Sequence, residues 1–233
     1  MPLTAHWKGN TMTTYKVAEI FSSINGEGRL AGQLAVFIRF CGCNLNCSFC
    51  DTGWANTADS PYTLMSAEEI FLRIKDTGIK NVTLTGGEPL LQQGISDLLY
   101  MLSEDTALNV EIETNGSIPI KPYADMTNRP SMTMDYKLPD SGMEMYMCME
   151  NYDFLQPHDT VKFVCGSMDD LKKAKTIITQ YRLVERCAVY LSPVYGKIHP
   201  SDMVDFMKEN TLNGVNLQLQ LHKYIWDPNA RGV

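Results

Sequence analysis

Seven short apolar, β-branched runs recur along the 233-residue chain: LAVFIRF (34–40), NVTLT (81–85), VEIET (110–114), MTMDYKL (132–138), TVKFVC (160–165), CAVYLSPV (187–194) and VNLQLQLHKY (215–224). Their length, and the polar or glycine residues that bound them, predict strands. Helical patterns with start signals lie between several of them. Ser66 opens SAEEIFLRIKDTG as a capping box with Glu69, Ser167 precedes MDDLKKAKTIITQYR, and a start near Ser201 leads DMVDFMKEN. LLQQGISDLLYMLSED supplies another amphipathic face. Strands that alternate with helices imply a parallel sheet covered by helices. Two intervals break the alternation: residues 117–130 hold Pro119, Pro122 and Pro130, and 139–158 is rich in Met and Asp. The expected fold is therefore α/β, an open, partial βα barrel of about six parallel strands with some helices missing, not a closed barrel.

Composition narrows the setting. The formal charge of −7 speaks against a broad nucleic-acid footprint, which needs clustered Lys and Arg. No apolar run approaches the roughly 18–20 residues of a membrane span, so neither nucleic acid nor membrane is an expected partner. The N-terminal MPLTAHWKGNTMTTYKV lacks the apolar stretch of a secretory signal. Residues 1–14 are expected to form a flexible polar tail ahead of a single domain over 15–233, since no linker, repeat or low-complexity segment divides the rest. The expected compartment is the reducing cytoplasm, where clustered cysteines are more often metal ligands or redox centres than disulfides. Cys148, Cys165 and Cys187 lie in or beside apolar stretches and read as small buried hydrophobes.

The other four cysteines fall within FCGCNLNCSFCDT (40–52). Cys43, Cys47 and Cys50 are spaced C-x3-C-x2-C directly after the strand that ends at Arg39-Phe40, and Cys41 precedes them. A zinc ribbon or finger would bring a second ligand pair farther along, and His158, His199 and His222 are isolated. A thioredoxin-type pair from Cys47 and Cys50 would leave Cys43 and Cys41 unexplained. Three thiolates on one loop suit a [4Fe–4S] cluster, holding three irons and leaving the fourth free for a small chelating molecule.

In this respect the segment resembles the radical S-adenosylmethionine superfamily, whose hallmark is C-x3-C-x2-C on the loop after the first barrel strand. Phe49, just before the last cysteine, fits that pattern, and Cys41 becomes a bystander. LTGGEPLL (84–91) resembles the superfamily's Gly-Gly-Glu-Pro motif: Gly86 and Gly87 allow close backbone approach, and Glu88 is expected to accept the methionyl ammonium of the cofactor. IETNG (112–116), with Glu113 and Asn115, stands where related enzymes contact ribose or amino acid. All three motifs follow carboxyl ends of successive strands, where barrels and open sheets carry their sites.

A narrower resemblance rests on EIFSSINGEG (19–28), FIRFCGCNLNCSFCDT (37–52) and LQLQLHKYIW (217–226), together with the two motifs above. These are similar to the 7-carboxy-7-deazaguanine synthase family of 7-deazapurine (queuosine) biosynthesis, from about residue 16 to the C-terminus. The resemblance implies a ring-contracting lyase that converts 6-carboxy-5,6,7,8-tetrahydropterin to 7-carboxy-7-deazaguanine with loss of ammonia. The implied cofactors are a [4Fe–4S] cluster, S-adenosylmethionine and Mg²⁺. Arg39 is expected to meet the substrate carboxylate. Ile24, Asn25, Gly26 and Glu27 are expected along the pterin, and Thr85 facing it. Arg39, Glu27 and Thr85 are thereby the candidate catalytic residues. His222, Lys223 and the terminal carboxylate of Val233 are expected to close the substrate side. Thr52, just after the last cluster cysteine, is the implied Mg²⁺ ligand, a cation that keeps waters and substrate oxygens around it. Asp135, Tyr136 and Lys137 stand where relatives often have Ser-Pro-Lys; with Ser192, Pro193, Val194 and Tyr195 they are expected against the adenosyl cofactor. The family also implies a homodimer and an electron donor such as flavodoxin or ferredoxin. Two alternatives stand beside this reading: a glycyl-radical-type activating enzyme acting on a partner protein, and a non-catalytic zinc-binding interaction module.

Overall fold

The structure, a computed structural model, describes residues 13–233. The tail expected over 1–14 lies outside the described residues apart from Thr13 and Thr14, and Thr14 already belongs to the first strand. In chain order the elements are β1 (Thr14–Ile24), β2 (Leu34–Phe40), β3 (Thr63–Ser66), α1 (Ala67–Asp76), β4 (Asn81–Gly86), α2 (Ile95–Glu104), β5 (Asn109–Thr114), β6 (Ser131–Tyr136), β7 (Thr160–Cys165), α3 (Met168–Gln180), β8 (Ala188–Pro193), α4 (Pro200–Glu209), β9 (Val215–Leu217) and α5 (His222–Ile225). One sheet runs β3-β1-β2-β4-β5-β6-β7-β8-β9. From β2 to β9 every pairing is parallel, while β1 pairs antiparallel with β2 and β3. The sheet is open, as the strand–helix alternation predicts. The antiparallel pair β1 and β3 is an addition to that reading.

Alternation of side chains along each strand assigns the two faces. Val36, Ile38 and Phe40 of β2, Val82 and Leu84 of β4, and Ile112 of β5 join Ile70, Ile74, Leu98, Leu99 and Leu102 of α1 and α2 in one core. Met134 and Tyr136 of β6, Val161, Phe163 and Cys165 of β7, and Val189 and Leu191 of β8 join Leu171, Ala174, Ile178, Met203 and Phe206 of α3 and α4 in a second. The opposite parity carries Arg39, Thr85, Glu113, Asp135, Lys137 and Lys162 to the concave face. Helices cover only one face, so the other is free to be polar.

Local signals explain the helix starts. The Ser66 hydroxyl accepts from the Glu69 N–H at 3.2 Å while the Glu69 carboxylate accepts from the Ser66 N–H at 2.8 Å, a complete capping box. Ser167 caps α3 through the Asp170 N–H, and α4 begins at Pro200, its ring suited to a first helical position. The two helix-free intervals hold only single 3-10 turns or short runs of them, at Lys121–Tyr123, Pro139–Ser141, Glu144–Tyr146 and Met149–Phe154. Buried Asn151 fastens one to the other: its amide donates to Gly116 and Ile118 carbonyls and accepts from Ile120 N–H. The last run differs from expectation. It is a strand only over Val215–Leu217, because the Gln218 side chain then bonds both N–H and C=O of Gly28 and the Leu221 N–H bonds the Gly26 carbonyl, turning the chain into α5. No helix among the described residues is long and apolar enough to cross a membrane.

Candidate active site

The carboxyl ends of β2 and β4–β8, the loops that follow them and the C-terminal segment enclose a cavity of about 710 Å³. Cys43, Cys47 and Cys50 line it, all as free thiols. Their loop is held by Ser48, whose N–H donates to Ser141 O (3.1 Å) and whose hydroxyl donates to Asp140 O (2.7 Å). The Cys43 sulfur accepts from Leu45 N–H (3.4 Å) and from Asn115 Nδ2 (3.5 Å). Cys41 is turned away: its thiol is buried and donates to Pro61 O. Three soft donors facing one cavity, with the fourth directed elsewhere, fit a [4Fe–4S] cluster with one vertex left to a ligand. Among the described residues no three His, Cys, Asp or Glu side chains gather as a single ion would need. Thr52 lines the cavity with its Oγ1 3.6 Å from Cys50 Sγ and 3.4 Å from Gly86 O, so a hard oxygen donor adjoins the soft ones, while the Asp51 carboxylate lies 3.6 Å from the Lys223 ammonium.

The glycine turn is zipped to the cysteine loop. Gly87 N–H donates to Phe40 O at 3.0 Å and Glu88 N–H to Gly42 O at 2.9 Å. A Cβ on Gly87 would stand 1.8 Å from Gly42 O, and Gly86, at φ +127°, would carry one 2.2 Å from Phe40 O, so both positions require glycine. Glu88, expected as a cofactor contact, does not line the cavity. It is fully buried behind the cavity wall, Oε1 accepting from Leu90 N–H and Thr114 hydroxyl and Oε2 from Asn115 N–H, so it ties the glycine turn to the end of β5. Burial pushes its carboxyl up to about 7, against the pull of those three donors.

The middle of the cavity is a network of charges. Lys162 of β7 donates to Glu27 at 2.9 Å and lies 3.4 Å from Asp135, which also pairs with Lys137 at 2.6 Å. Burial works to raise Asp135, but Lys137 and Lys162 outweigh it and hold the carboxyl low. Burial likewise opposes the charge on both lysines, yet the surrounding carboxylates keep them well protonated. Thr85 donates to Glu113 at 2.7 Å, and burial raises Glu113. Glu111, beneath it, is pushed up to about 7 by burial and then by Glu113, while accepting from the Thr133 hydroxyl.

The substrate side is built from distant pieces. Ile24, Gly26, Glu27, His222 and Val233 line the same cavity as Arg39. Arg39 uses its Nε on Glu19 at 2.8 Å, and among the described residues its two Nη nitrogens form no hydrogen bond. Burial lowers the His222 imidazole, with Glu27 and Asp51 pulling the other way. Residues 228–233 complete the rim, the Arg231 guanidinium lying 4.3 Å above the Trp54 ring and Lys223 donating to Pro228 O.

The expected residues thus divide. Cys43, Cys47, Cys50, Thr52, Gly86, Gly87, Asn115, Asp135, Lys137, Val194 and Tyr195 share the cavity with the substrate-side group just named, Thr85 and Glu113. Besides Glu88, four do not line it. Asn25 is buried below the loop, accepting from the Thr83 hydroxyl. Tyr136 points into the second core by strand parity, its hydroxyl donating to Glu144. Ser192 is buried and donates to Glu27 Oε1 at 2.9 Å, and Pro193 ends β8 away from the lining. No motif in the sequence marks Lys162, Gln220, Glu111 or Trp54. Lys162 carried a signal there, a lysine inside the apolar TVKFVC, where charge is buried only when paired.

Comparison with known proteins fits this arrangement. Residues 37–136 match the Radical SAM superfamily. A 7-carboxy-7-deazaguanine synthase of Clostridium acetobutylicum is 60% identical over 219 residues, covering 94% of this chain and 99% of its own length. The one from Chlorobaculum tepidum is 36% identical, covering 96% and 100%. The crystal structure of QueE from Escherichia coli superposes with a TM-score of 0.64 at 21% identity, over 88% of this chain and 93% of that one, a likeness of fold. The open sheet, the three-thiol loop, the Radical SAM match and these relatives together make the chain a radical S-adenosylmethionine protein. Within that class, the chain belongs to the 7-carboxy-7-deazaguanine synthase family. Family membership sets aside the glycyl-radical-type activating enzyme and the zinc module.

Proposed function

We propose that this chain contracts the ring of 6-carboxy-5,6,7,8-tetrahydropterin to give 7-carboxy-7-deazaguanine and ammonia, a step of 7-deazapurine (queuosine) biosynthesis. The observation that carries this reading is one cavity in which the three-thiol loop faces an arginine with a free Nη edge and a carboxylate, Glu27, held by three donors. Cys43, Cys47 and Cys50 would hold a [4Fe–4S] cluster, and together with S-adenosylmethionine it supplies the one-electron and hydrogen-atom chemistry. Thr52 would supply a protein oxygen to Mg²⁺, the remaining positions being left to water and the substrate carboxylate.

The chain's own part is positioning and exclusion of water. Arg39 presents two parallel N–H donors to the substrate carboxylate, the geometry that fixes a planar anion best. Glu27 accepts from the amino and amide edge of the pterin. Thr85, oriented by Glu113, faces the same cavity. Burial disfavours charge on His222, so a neutral imidazole faces the substrate, where it can donate from one ring nitrogen and accept at the other. The 228–233 segment, anchored by Arg231 on Trp54, covers the opening and keeps water from reactive intermediates. Gly86, Gly87 and the Asp135–Lys137 pair leave backbone and charge for the cofactor.

The same reading extends to the partners. The substrate is a small molecule. Cys50 is exposed, so an electron can enter at that rim from a docked flavodoxin or ferredoxin. Exposed Tyr62 and Leu64 on and beside edge strand β3 support a homodimer, and free thiols throughout suit the cytoplasm. Anaerobic incubation of cluster-reconstituted protein with reductant, S-adenosylmethionine, Mg²⁺ and the carboxylated pterin, followed by mass spectrometry, tests the reaction. The expected product is lighter than the substrate by one ammonia. A preparation with full iron content that binds S-adenosylmethionine and leaves the pterin unchanged would overturn the assignment.

A further inference from the structure

The Glu27 carboxylate is held with unusual completeness for a group that should meet a ligand. Its Oε2 accepts from Lys162 at 2.9 Å and from Gln220 at 3.2 Å, and its Oε1 accepts from Ser192 at 2.9 Å. A carboxylate has about four acceptor positions, so one is left for the cavity it lines. The three donors come from β7, from β8 and from the turn after β9, so the second half of the chain aims a residue of the first.

Lys162 is the only charged member of the three. Its ammonium is buried and also touches Asp135, its cross-strand neighbour, which pairs in turn with Lys137. Glu27, Lys162, Asp135 and Lys137 therefore form a continuous chain from the pterin side of the cavity to the cofactor side. Glu113 adds a further negative group to the ammonium's surroundings. A charge at this depth is retained only when several partners share it. Nothing in the proposed chemistry makes Lys162 react, and none of the roles assigned above is its own.

We propose that Lys162 is a positioning residue for substrate recognition: it holds the Glu27 carboxylate so that its remaining acceptor position faces the ring N–H donors of the pterin. The inference rests on the reading of the cavity given above. Without the ammonium, Glu27, Asp135 and Glu113 share the space with Lys137 alone, and repulsion swings Glu27 out of register. The pterin is then the ligand that suffers. S-adenosylmethionine, which meets Lys137 and the glycine turn, should suffer little.

The test is a double-mutant cycle on the anaerobic holoenzyme, with dissociation constants measured separately for the pterin and for S-adenosylmethionine. Lys162→Met, which keeps the stem and removes the charge, is expected to weaken pterin binding by about tenfold or more, the factor for losing a charge-assisted contact. The S-adenosylmethionine constant is expected to stay within about threefold. Combined with Glu27→Gln, Lys162→Met should add no more than about threefold, because the route through Glu27 is already broken. The proposal is overturned if Lys162→Met binds the pterin like the parent, if both ligands weaken alike, or if the two losses multiply. Should Lys162→Met fail to fold, the double variant, which removes one charge of each sign, is compared with Glu27→Gln. Equal pterin affinity supports the proposal and a further tenfold loss overturns it. A parent holoenzyme that binds S-adenosylmethionine but no pterin is a separate result: it removes the functional reading, and this inference with it.

Discussion

The two halves of the sheet build one cavity by different means. From β1 to β5 the site is made by consecutive residues and backbone. Cys43 to Cys50 sit on one loop, the glycine turn lies against it through main-chain hydrogen bonds, and Glu88 stitches that turn to the end of β5. From β6 to the C-terminus it is made by single side chains arriving from far apart. Lys162, Ser192 and Gln220 reach Glu27 across 135, 165 and 193 residues of sequence. Cofactor chemistry that is shared by many proteins needs a fixed local frame. Recognition of one substrate needs only a few groups aimed at it, and these can be recruited from anywhere on the concave face.

Breaking the first half should give the largest effects. Replacing Cys43, Cys47 or Cys50 singly by alanine is expected to abolish turnover, whereas Cys41→Ala leaves iron content and turnover intact, since its thiol faces Pro61. Iron analysis alongside the assay checks both. Gly87→Ala comes next. Its methyl group would overlap Gly42 O, so the turn must part from the cysteine loop at a cost of about 3 kcal/mol, read as a lower melting temperature and weaker S-adenosylmethionine binding.

Glu111 tests the burial of charge under the shared floor. Its folded pKa of about 7 lies above the unfolded value, so its favourable contribution is full below the unfolded value and is lost as pH rises through 7. Glu111→Gln, which can still accept from Thr133, should raise stability at pH 8 by on the order of 2 kcal/mol and change it little at pH 4. Thermal melts at the two pH values, against the parent, decide it. The smallest effect belongs to Ser192→Ala in the second half. Losing one of three donors to Glu27 should cost about 1 kcal/mol, read as a roughly fivefold rise in KM for the pterin with KM for S-adenosylmethionine unchanged.

The same contrast explains what the sequence made legible. The open parallel sheet followed from apolar runs alternating with capped helices, and the motif loops followed from spacing, because each of those signals is local. β1 carries no such signal, since TYKVAEIFSSI mixes polar and apolar residues and becomes a strand only by pairing with β2 and β3. Tyr136 could have been placed from alternation alone: Asp135 and Lys137 share one face of β6 and the tyrosine between them must take the other. Lys162 was open to the same reasoning, sharing parity with Val164 and opposed to Val161 and Phe163. The meeting of Ser192 and Gln220 on Glu27 was not, because no local pattern in the chain records a convergence across the sheet. Glu88 shows the same limit. The motif marks the residue, and nothing local in it records the three buried donors that converge on its carboxylate.

The central proposal is that Cys43, Cys47 and Cys50 hold an iron–sulfur cluster whose fourth vertex is open to a nucleotide. The direct measurement is the EPR spectrum of the anaerobically reduced, reconstituted protein before and after S-adenosylmethionine is added. A [4Fe–4S] signal whose g-values shift on addition is the predicted result. A cluster signal indifferent to the nucleotide, with every iron already capped by the polypeptide, would contradict it.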